Sequence, residues 1–222
     1  MKSSSGTSRG RLLATTERPR DVMLRQALSH PVVFAVTQAA LGARSAMDAI
    51  FRDWISVGPG TRVLDVGCGI GSLSRHLETS VSYVGADLEW GYLRHAVDRH
   101  GPKTAFVQCD VTRPWPFREN GFDYVFGIGL LHHLSDAEAL FVLGEAKRML
   151  KHGGVFYTVD PLARDGQRWI TRALLALDRG AHIRHSSEYH RLVESVFARV
   201  SHTTSNDLLR VPYELLMMRC HP

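Results

Sequence analysis

Cysteine is scarce: Cys68, Cys109 and Cys220 are all the chain contains, an odd number without metal-type spacing. That argues against a disulfide framework and a cysteine-based metal site, and it fits a reducing, cytoplasmic setting. No metal is expected. No stretch reaches the ~18 consecutive apolar residues of a membrane span, and the N-terminal segment has no apolar run of signal-peptide length. A soluble protein is expected. No Gly-Lys-Ser/Thr follows a glycine-rich turn, which removes Walker-type phosphate binding. A basic body is also missing. The formal net charge is +5, but residues 1–30 hold six basic and two acidic side chains and so account for +4 of it. Basicity confined to one end is not the local patch that nucleic-acid binding needs, so no nucleic-acid partner is expected. Residues 1–20, rich in Ser, Thr and Arg, read as a disordered basic tail.

What is present is an alternation of periods. Apolar residues recur at helical spacing from Val32 to Ile55, and Gly42 divides them into two helices. The strand-like runs "RVLDV", "VSYVGAD", "TAFVQCD", "FDYVFGIG" and "VFYTVDP" then alternate with helical segments, the longest from about Asp136 to Leu150 and closed by "HGG" at 152–154. The pattern predicts an α/β fold with a doubly wound, Rossmann-like, mostly parallel sheet. Two strands follow one another at the end, "ARVSHTTS" and "YELLMMRC", without a helix between them. One strand of the sheet should therefore be antiparallel. Residues 21–222 read as a single domain, with N-terminal helices over 21–57 and a helical lid over 162–197, between the fifth and sixth strands.

The first strand empties into Gly67-x-Gly69-x-Gly71, followed by a predicted helix. Closely set glycines let a ligand approach the backbone, and a helix start offers unpaired N–H groups. A dinucleotide fingerprint needs glycine at position 72, where Ser72 stands. Asp65, two residues upstream of Gly67, would repel a pyrophosphate but suits a ligand carrying positive charge. Asp87 ends the second strand 20 residues after Gly67, the spacing at which a carboxylate accepts ribose hydroxyls. Asp110 ends the third strand, where it either accepts from an adenine amine or caps the turn in "CDVTRPW". Acids at the ends of three strands beside a glycine turn describe a nucleoside with a zwitterionic tail and no phosphate.

On the motifs "VLDVGCGIGSLS", "GADL", "CDVTRPWPF", "FDYVFGIGLLHHL" and "LKHGGVFYTVDP", in that order, residues 60–160 resemble the class I S-adenosylmethionine-dependent methyltransferases of small-molecule type. The resemblance implies a seven-stranded sheet whose last strand is antiparallel, and S-adenosyl-L-methionine as cofactor. It implies that the backbone at Gly67, Cys68 and Gly69 meets the methionine moiety and that Asp87 holds the ribose. It further implies that Asp110 and the Val111 amide bind adenine, that Leu88 packs on the ring, and that the carbonyl near Ile128 faces the cofactor amine. Gly71 is assigned to close packing.

The acceptor side is less determined. The Asn/Asp-Pro-Pro-aromatic pattern of methyltransferases acting on planar amines does not follow the fourth strand; "GLLHHL" does. His132 and His133 either cap this loop or supply a general base for a hydroxyl or acidic carbon, with His133 the better placed. In the lid, Arg184, His185 and Tyr189 are candidate donors to an oxygen-rich or anionic acceptor. The expectation is a methyltransferase acting on a small-molecule acceptor of natural-product, lipid, quinone or sugar type, as a monomer or homodimer. Two alternatives stay open. One is an NAD(P)-dependent oxidoreductase, disfavoured by Ser72 and the lack of a Tyr-x-x-x-Lys pair. The other is a non-catalytic cofactor-binding subunit.

Overall fold

The computed structural model describes residues 31–100, 104–164, 182–210 and 214–222. The elements run α1 (Pro31–Leu41), α2 (Ala43–Asp53), β1 (Arg62–Val66), β2 (Ser82–Asp87), α3 (Trp90–Val97), β3 (Thr104–Gln108), β4 (Phe122–Ile128), α4 (Asp136–Met149), β5 (Leu150–Pro161), α5 (Ser186–Glu194), β6 (Arg199–Ser205) and β7 (Leu215–His221). Seven strands form one sheet in the order β3-β2-β1-β4-β5-β7-β6. The first five strands pair in parallel, and β7 lies antiparallel to both β5 and β6. The expected Rossmann-like mixed sheet, with its antiparallel last strand, is what the chain forms. Gly42 sits between α1 and α2 at φ 78°, a left-handed conformation that costs glycine little.

Apolar side chains cover both faces. On one, Leu64, Val125 and Phe156 pack under Val142, Leu143 and Met149 of α4 and Val193 of α5. On the other, Val63, Tyr83, Phe126 and Tyr157 lie beneath Ile50 of α2 and Leu73. A parallel strand buried on both faces reads as a nearly continuous apolar run, as β1 does at Val63, Leu64 and Val66, with Asp65 its buried polar exception.

Two local expectations change. The segment behind the glycines is a five-residue 3₁₀ helix, Ser72–His76, rather than an α-helix. Ser74 Oγ turns back to the Gly71 carbonyl at 2.9 Å and to His100 Nδ1 at 2.8 Å, and such side-chain bonding competes with a continuing α-helix. The "HGG" stretch does not terminate α4, which ends at Met149. It lies inside β5, where the pairing with β4 jumps from Phe122↔Leu150 to Tyr124↔Val155, and Gly153 takes φ 78° in this bulge. Of the predicted lid, the second helix is present as α5. Residues 165–181 of it, and the predicted tail over 1–20, lie outside the described residues.

Candidate functional site

Every parallel strand ends at the same edge of the sheet, and β1 and β4 leave from its centre, on either side of which the strand order reverses. This is where open α/β sheets bind ligands. The turn after β1 is built from left-handed glycines: Gly67 (φ 70°), Gly69 (φ 53°) and Gly71 (φ 71°). A Cβ on Gly67 would lie 3.0 Å from Leu130 Cδ1, and one on Gly71 would lie 2.9 Å from the Phe106 ring. Gly71 therefore serves packing against β3, as expected. The backbone of Gly67 and Cys68 is tied to β2, with both amides donating to the Ala86 carbonyl, at 2.8 and 3.1 Å.

Asp87, at the end of β2, accepts from the Gly69 amide at 2.8 Å through Oδ2 and from the Glu89 amide at 2.8 Å through Oδ1. Burial raises its pKa above the ordinary carboxyl value, and these amide bonds oppose the rise. The next residues, Leu88 and Trp90, are large apolar side chains left 58% and 57% exposed. Gln108 steadies them by donating to the Leu88 carbonyl at 2.9 Å. Asp110 does cap its turn: Oδ1 accepts from the Thr112 amide at 3.0 Å and its hydroxyl at 2.6 Å, while Oδ2 pairs with Arg113 at 3.2 Å. The Thr112 bonds, foremost, hold its pKa low. Val111 is partly buried against the core and receives the Trp115 indole N–H on its carbonyl at 2.9 Å. Ile128 closes β4, half-buried, and the Gly129 amide donates to the Val159 carbonyl at 2.7 Å.

Asp65 is 3% exposed. Its Oδ2 accepts from the Tyr83 hydroxyl at 2.6 Å, and no described residue donates to its Oδ1. Burial, chiefly, pushes its pKa up to about 7, with the nearby Asp87 adding to the rise and the Tyr83 bond countering it. Burial likewise pushes up the thiol of Cys68. Tyr83 could not be singled out from sequence. It stands in an apolar strand, and only the parallel register of β1 and β2 brings its hydroxyl to Asp65.

The two histidines after β4 part company. His132 is 4% exposed; its amide and Nδ1 approach Asp160 Oδ1 at 3.2 and 2.9 Å, and Thr158 donates to the other oxygen of Asp160. His133 is exposed, and its ring lies 4.0 Å from that of His132. His132 is thus part of the frame, not an open base. Sequence reasoning missed Asp160, which only strand pairing carries beside this turn.

Two of the three lid candidates are also turned inward. Arg184, 5% exposed, donates to the carbonyls of Leu131 (2.8 Å), Leu134 (2.6 Å) and His182 (3.1 Å) and to Asp136 Oδ1 through Nε and Nη2 (2.9 and 2.8 Å). Every N–H of the guanidinium has a partner, so it has no donor left for an acceptor molecule. Tyr189 is fully buried and its hydroxyl donates to the Pro161 carbonyl at 3.3 Å. His185 is exposed and stands at the N-cap of α5, its amide bonded to Glu188 Oε2 at 2.8 Å. The inward pair clamps the chain after β5 onto the histidine turn instead of lining a pocket.

Residues 63–154 match the family model described as a methyltransferase domain. The matched stretch holds the glycine turn, Asp87, Asp110 and the histidine turn. Over that stretch the chain is similar to methyltransferase domains. Individual proteins are similar over about the same stretch. A sterol 24-C-methyltransferase of Schizosaccharomyces pombe is 38% identical over 109 residues, 46% of this chain and 28% of that one. Phosphoethanolamine N-methyltransferase 2 of Caenorhabditis elegans is 37% identical over 101 residues, 43% of this chain and 23% of that one. The chain thus spans less than a third of these relatives. Among solved structures, phosphoethanolamine N-methyltransferase 2 of Haemonchus contortus in complex with S-adenosyl-L-methionine superposes with a TM-score of 0.74 at 16% identity, over 94% of this chain and 61% of that one. The chain therefore shares that fold. Among the described residues, no helix is long and apolar enough to cross a membrane, and no three His, Cys, Asp or Glu side chains cluster as a metal site would require.

Proposed function

We propose that the chain is an S-adenosyl-L-methionine-dependent methyltransferase acting on a small-molecule acceptor. The observation that carries this reading is the joint between Asp87 and the glycine turn: one carboxylate fixes the Gly69 amide and still has lone pairs for ribose hydroxyls. The residues fit the cofactor. Gly67 leaves backbone accessible where a Cβ would already crowd Leu130. Exposed Leu88 offers an apolar shelf for adenine, and Asp110, partly exposed, accepts at its rim. Asp65 places a buried acid beside the turn. Val111 and the Ile128 carbonyl complete the set assigned to the cofactor.

Bound there, the cofactor supplies a methyl group already activated by its sulfonium. The protein's task is then to align the acceptor lone pair and, where needed, remove its proton. His133 is the exposed histidine of the acceptor-side turn and is assigned that proton; His132, clamped by Asp160, holds the turn. The relatives named for sterol, phosphoethanolamine and hydroquinone methylation support a small organic acceptor.

Isothermal calorimetry tests the reading. S-adenosylmethionine and S-adenosylhomocysteine should bind with micromolar or better affinity, and NAD should not bind. Binding of NAD without S-adenosylmethionine would overturn it in favour of an oxidoreductase.

A further inference from the structure

Helix α4 has two apolar faces, and the fold covers one of them. Ala139, Val142, Leu143, Ala146 and Met149 are buried against the sheet. On the opposite side Ala137, Leu140, Phe141 and Gly144 recur at i, i+3, i+4 and i+7, and all four are exposed. A helix that covers a sheet normally turns charged residues to that side. Gly144 sharpens the contrast. It stands inside the helix, where glycine is the poorest residue after proline, and a Cβ built on it would meet nothing within 4 Å. The packing of the described residues therefore does not require a glycine there. A surface arriving from outside would, because the missing side chain leaves a hollow. The charges beside the stripe are ordered by position. Asp136 lies in the first turn and Lys147 in the last, at spacings that put both on the Leu140 flank. The Asp136 side chain is 76% exposed, and Lys147 uses one N–H on the Val196 carbonyl at 2.7 Å.

We propose that this face of α4 is the contact between two copies of the chain, related by a two-fold axis that sets the two helices antiparallel. The face is complementary to itself in that arrangement. Turning the partner end for end brings its basic last turn opposite the acidic first turn, so that Asp136 meets the partner's Lys147 and Lys147 meets the partner's Asp136. A parallel pair would set like charges together. The same register seats Leu140 in the hollow at the partner's Gly144, which lets the helix axes approach, and brings Phe141 against the partner's Phe141 near the axis. The stripe is the centre of the contact and not its whole area, since a stable interface buries roughly 800 Å² per partner. The loop between β3 and β4 extends it. Pro114 and Pro116 are exposed there, and the loop is bonded to the helix: the Trp115 amide donates to Glu145 Oε2 at 2.8 Å, and Arg148 donates to the Trp115 carbonyl at 3.5 Å. Prolines suit such a rim because they bring no N–H to be left unpaired. The proposal does not depend on the cofactor reading.

Analytical ultracentrifugation of the full chain over a dilution series should show a reversible dimer. Leu140→Asp puts a charge into the centre of the contact and should weaken dimerisation by about thirtyfold or more. Gly144→Gln gives the sharper contrast. Its side chain fills the hollow that the partner needs and should weaken dimerisation by about tenfold or more. The separate chain, measured by urea denaturation at concentrations where it is monomeric, should become more stable, because glutamine is the better helix former. A merely structural role for Gly144 would move stability the other way. Lys147→Glu should weaken dimerisation, and more strongly at low salt, because it sets like charges face to face. Under mild oxidation Phe141→Cys should give a disulfide-linked dimer and the wild type should not, since Cys68, Cys109 and Cys220 are all buried. Circular dichroism checks that each variant is folded, and if Leu140→Asp is not, Gly144→Gln decides alone. A wild-type chain that sediments as a monomer at every concentration overturns the proposal. So does a dimer of unchanged strength in Gly144→Gln, which must then be built on another surface.

Discussion

The Asp87 carboxylate holds the amides of Gly69 and Glu89, so the residue assigned to the ribose also fixes the loop around it. Asp87→Ala should weaken S-adenosylmethionine binding by about 2–4 kcal/mol, because a charged acceptor is lost and two amides are freed. The fold should persist, since the site lies at a strand end. Calorimetry on a folded mutant checks this, and unchanged affinity would remove Asp87 from the site. The histidines separate in the same manner. His132→Ala leaves the fully buried Asp160 without its ring partner and should cost about 3–5 kcal/mol of stability, the range for breaking a buried pair. His133→Ala, at an exposed position, should change stability by less than about 0.5 kcal/mol. If His133 takes the acceptor's proton, the same mutant should turn over roughly 10²–10⁴-fold more slowly with cofactor affinity unchanged. Wild-type turnover in a cofactor-competent mutant would end that assignment.

At the scale of elements, the two connections at the carboxyl edge are held by different means. The turn after β1 is held by its backbone: left-handed glycines, a short 3₁₀ helix and a carboxylate reaching over from β2. The turn after β4 is held by a side chain from far along the sequence, Arg184, which caps the carbonyls of Leu131 and Leu134 and reaches Asp136. A planar five-donor fork suits that task, and a lysine ammonium does not. Arg184→Lys should therefore lower stability by about 2–3 kcal/mol, with buried carbonyls left unpaired. Asp136→Ala, whose side chain is 76% exposed, should cost less than about 1 kcal/mol. Urea denaturation of the two mutants side by side tests this contrast. If Asp136→Ala were the more damaging, the ion pair and not the carbonyl caps would be holding the turn.

For the whole molecule, the acid of the cleft is paid for in stability. The carboxyl of Asp65 titrates near 7 when folded, against ~4 in an unfolded chain. Between those values the folded protein keeps a proton that the unfolded chain has lost. Stability contributed by the neutral acid is thus present below about pH 4 and is lost as pH rises towards 7. Asp110, Asp123 and Glu145 are shifted downward by their partners and favour folding in the opposite sense, above their unfolded values. Comparing Asp65→Asn with wild type cancels those contributions. The mutant's relative stability should rise by about 2–4 kcal/mol between pH 4.5 and pH 8, read from urea denaturation at both pH values. A difference that does not vary with pH would show that Asp65 is ionised in the free protein throughout.

Much of this was legible in the sequence because it is local. Hydrophobic period marked the strands and helices, Gly42 the break between α1 and α2, and "GCGIG" with Asp87 twenty residues on the joint of glycine turn and carboxylate at the candidate site. Two strands in succession at the end of the chain required one of them to run antiparallel. These features depend on neighbours a few residues apart, or on a spacing that the strand–helix unit fixes. Pairings between distant segments were decided by tertiary structure alone. Tyr83 meets Asp65 only through the register of β1 on β2, and Asp160 meets His132 only because β5 lies beside β4. Arg184 reaches Leu131 across 53 residues of chain. From sequence, Arg184 and Tyr189 look like donors on an open loop, because residue type reports what a side chain can bond but not which backbone carbonyls will be brought to it. Burial made the difference: once packing excludes water, each polar group must be satisfied by whatever the fold places within reach.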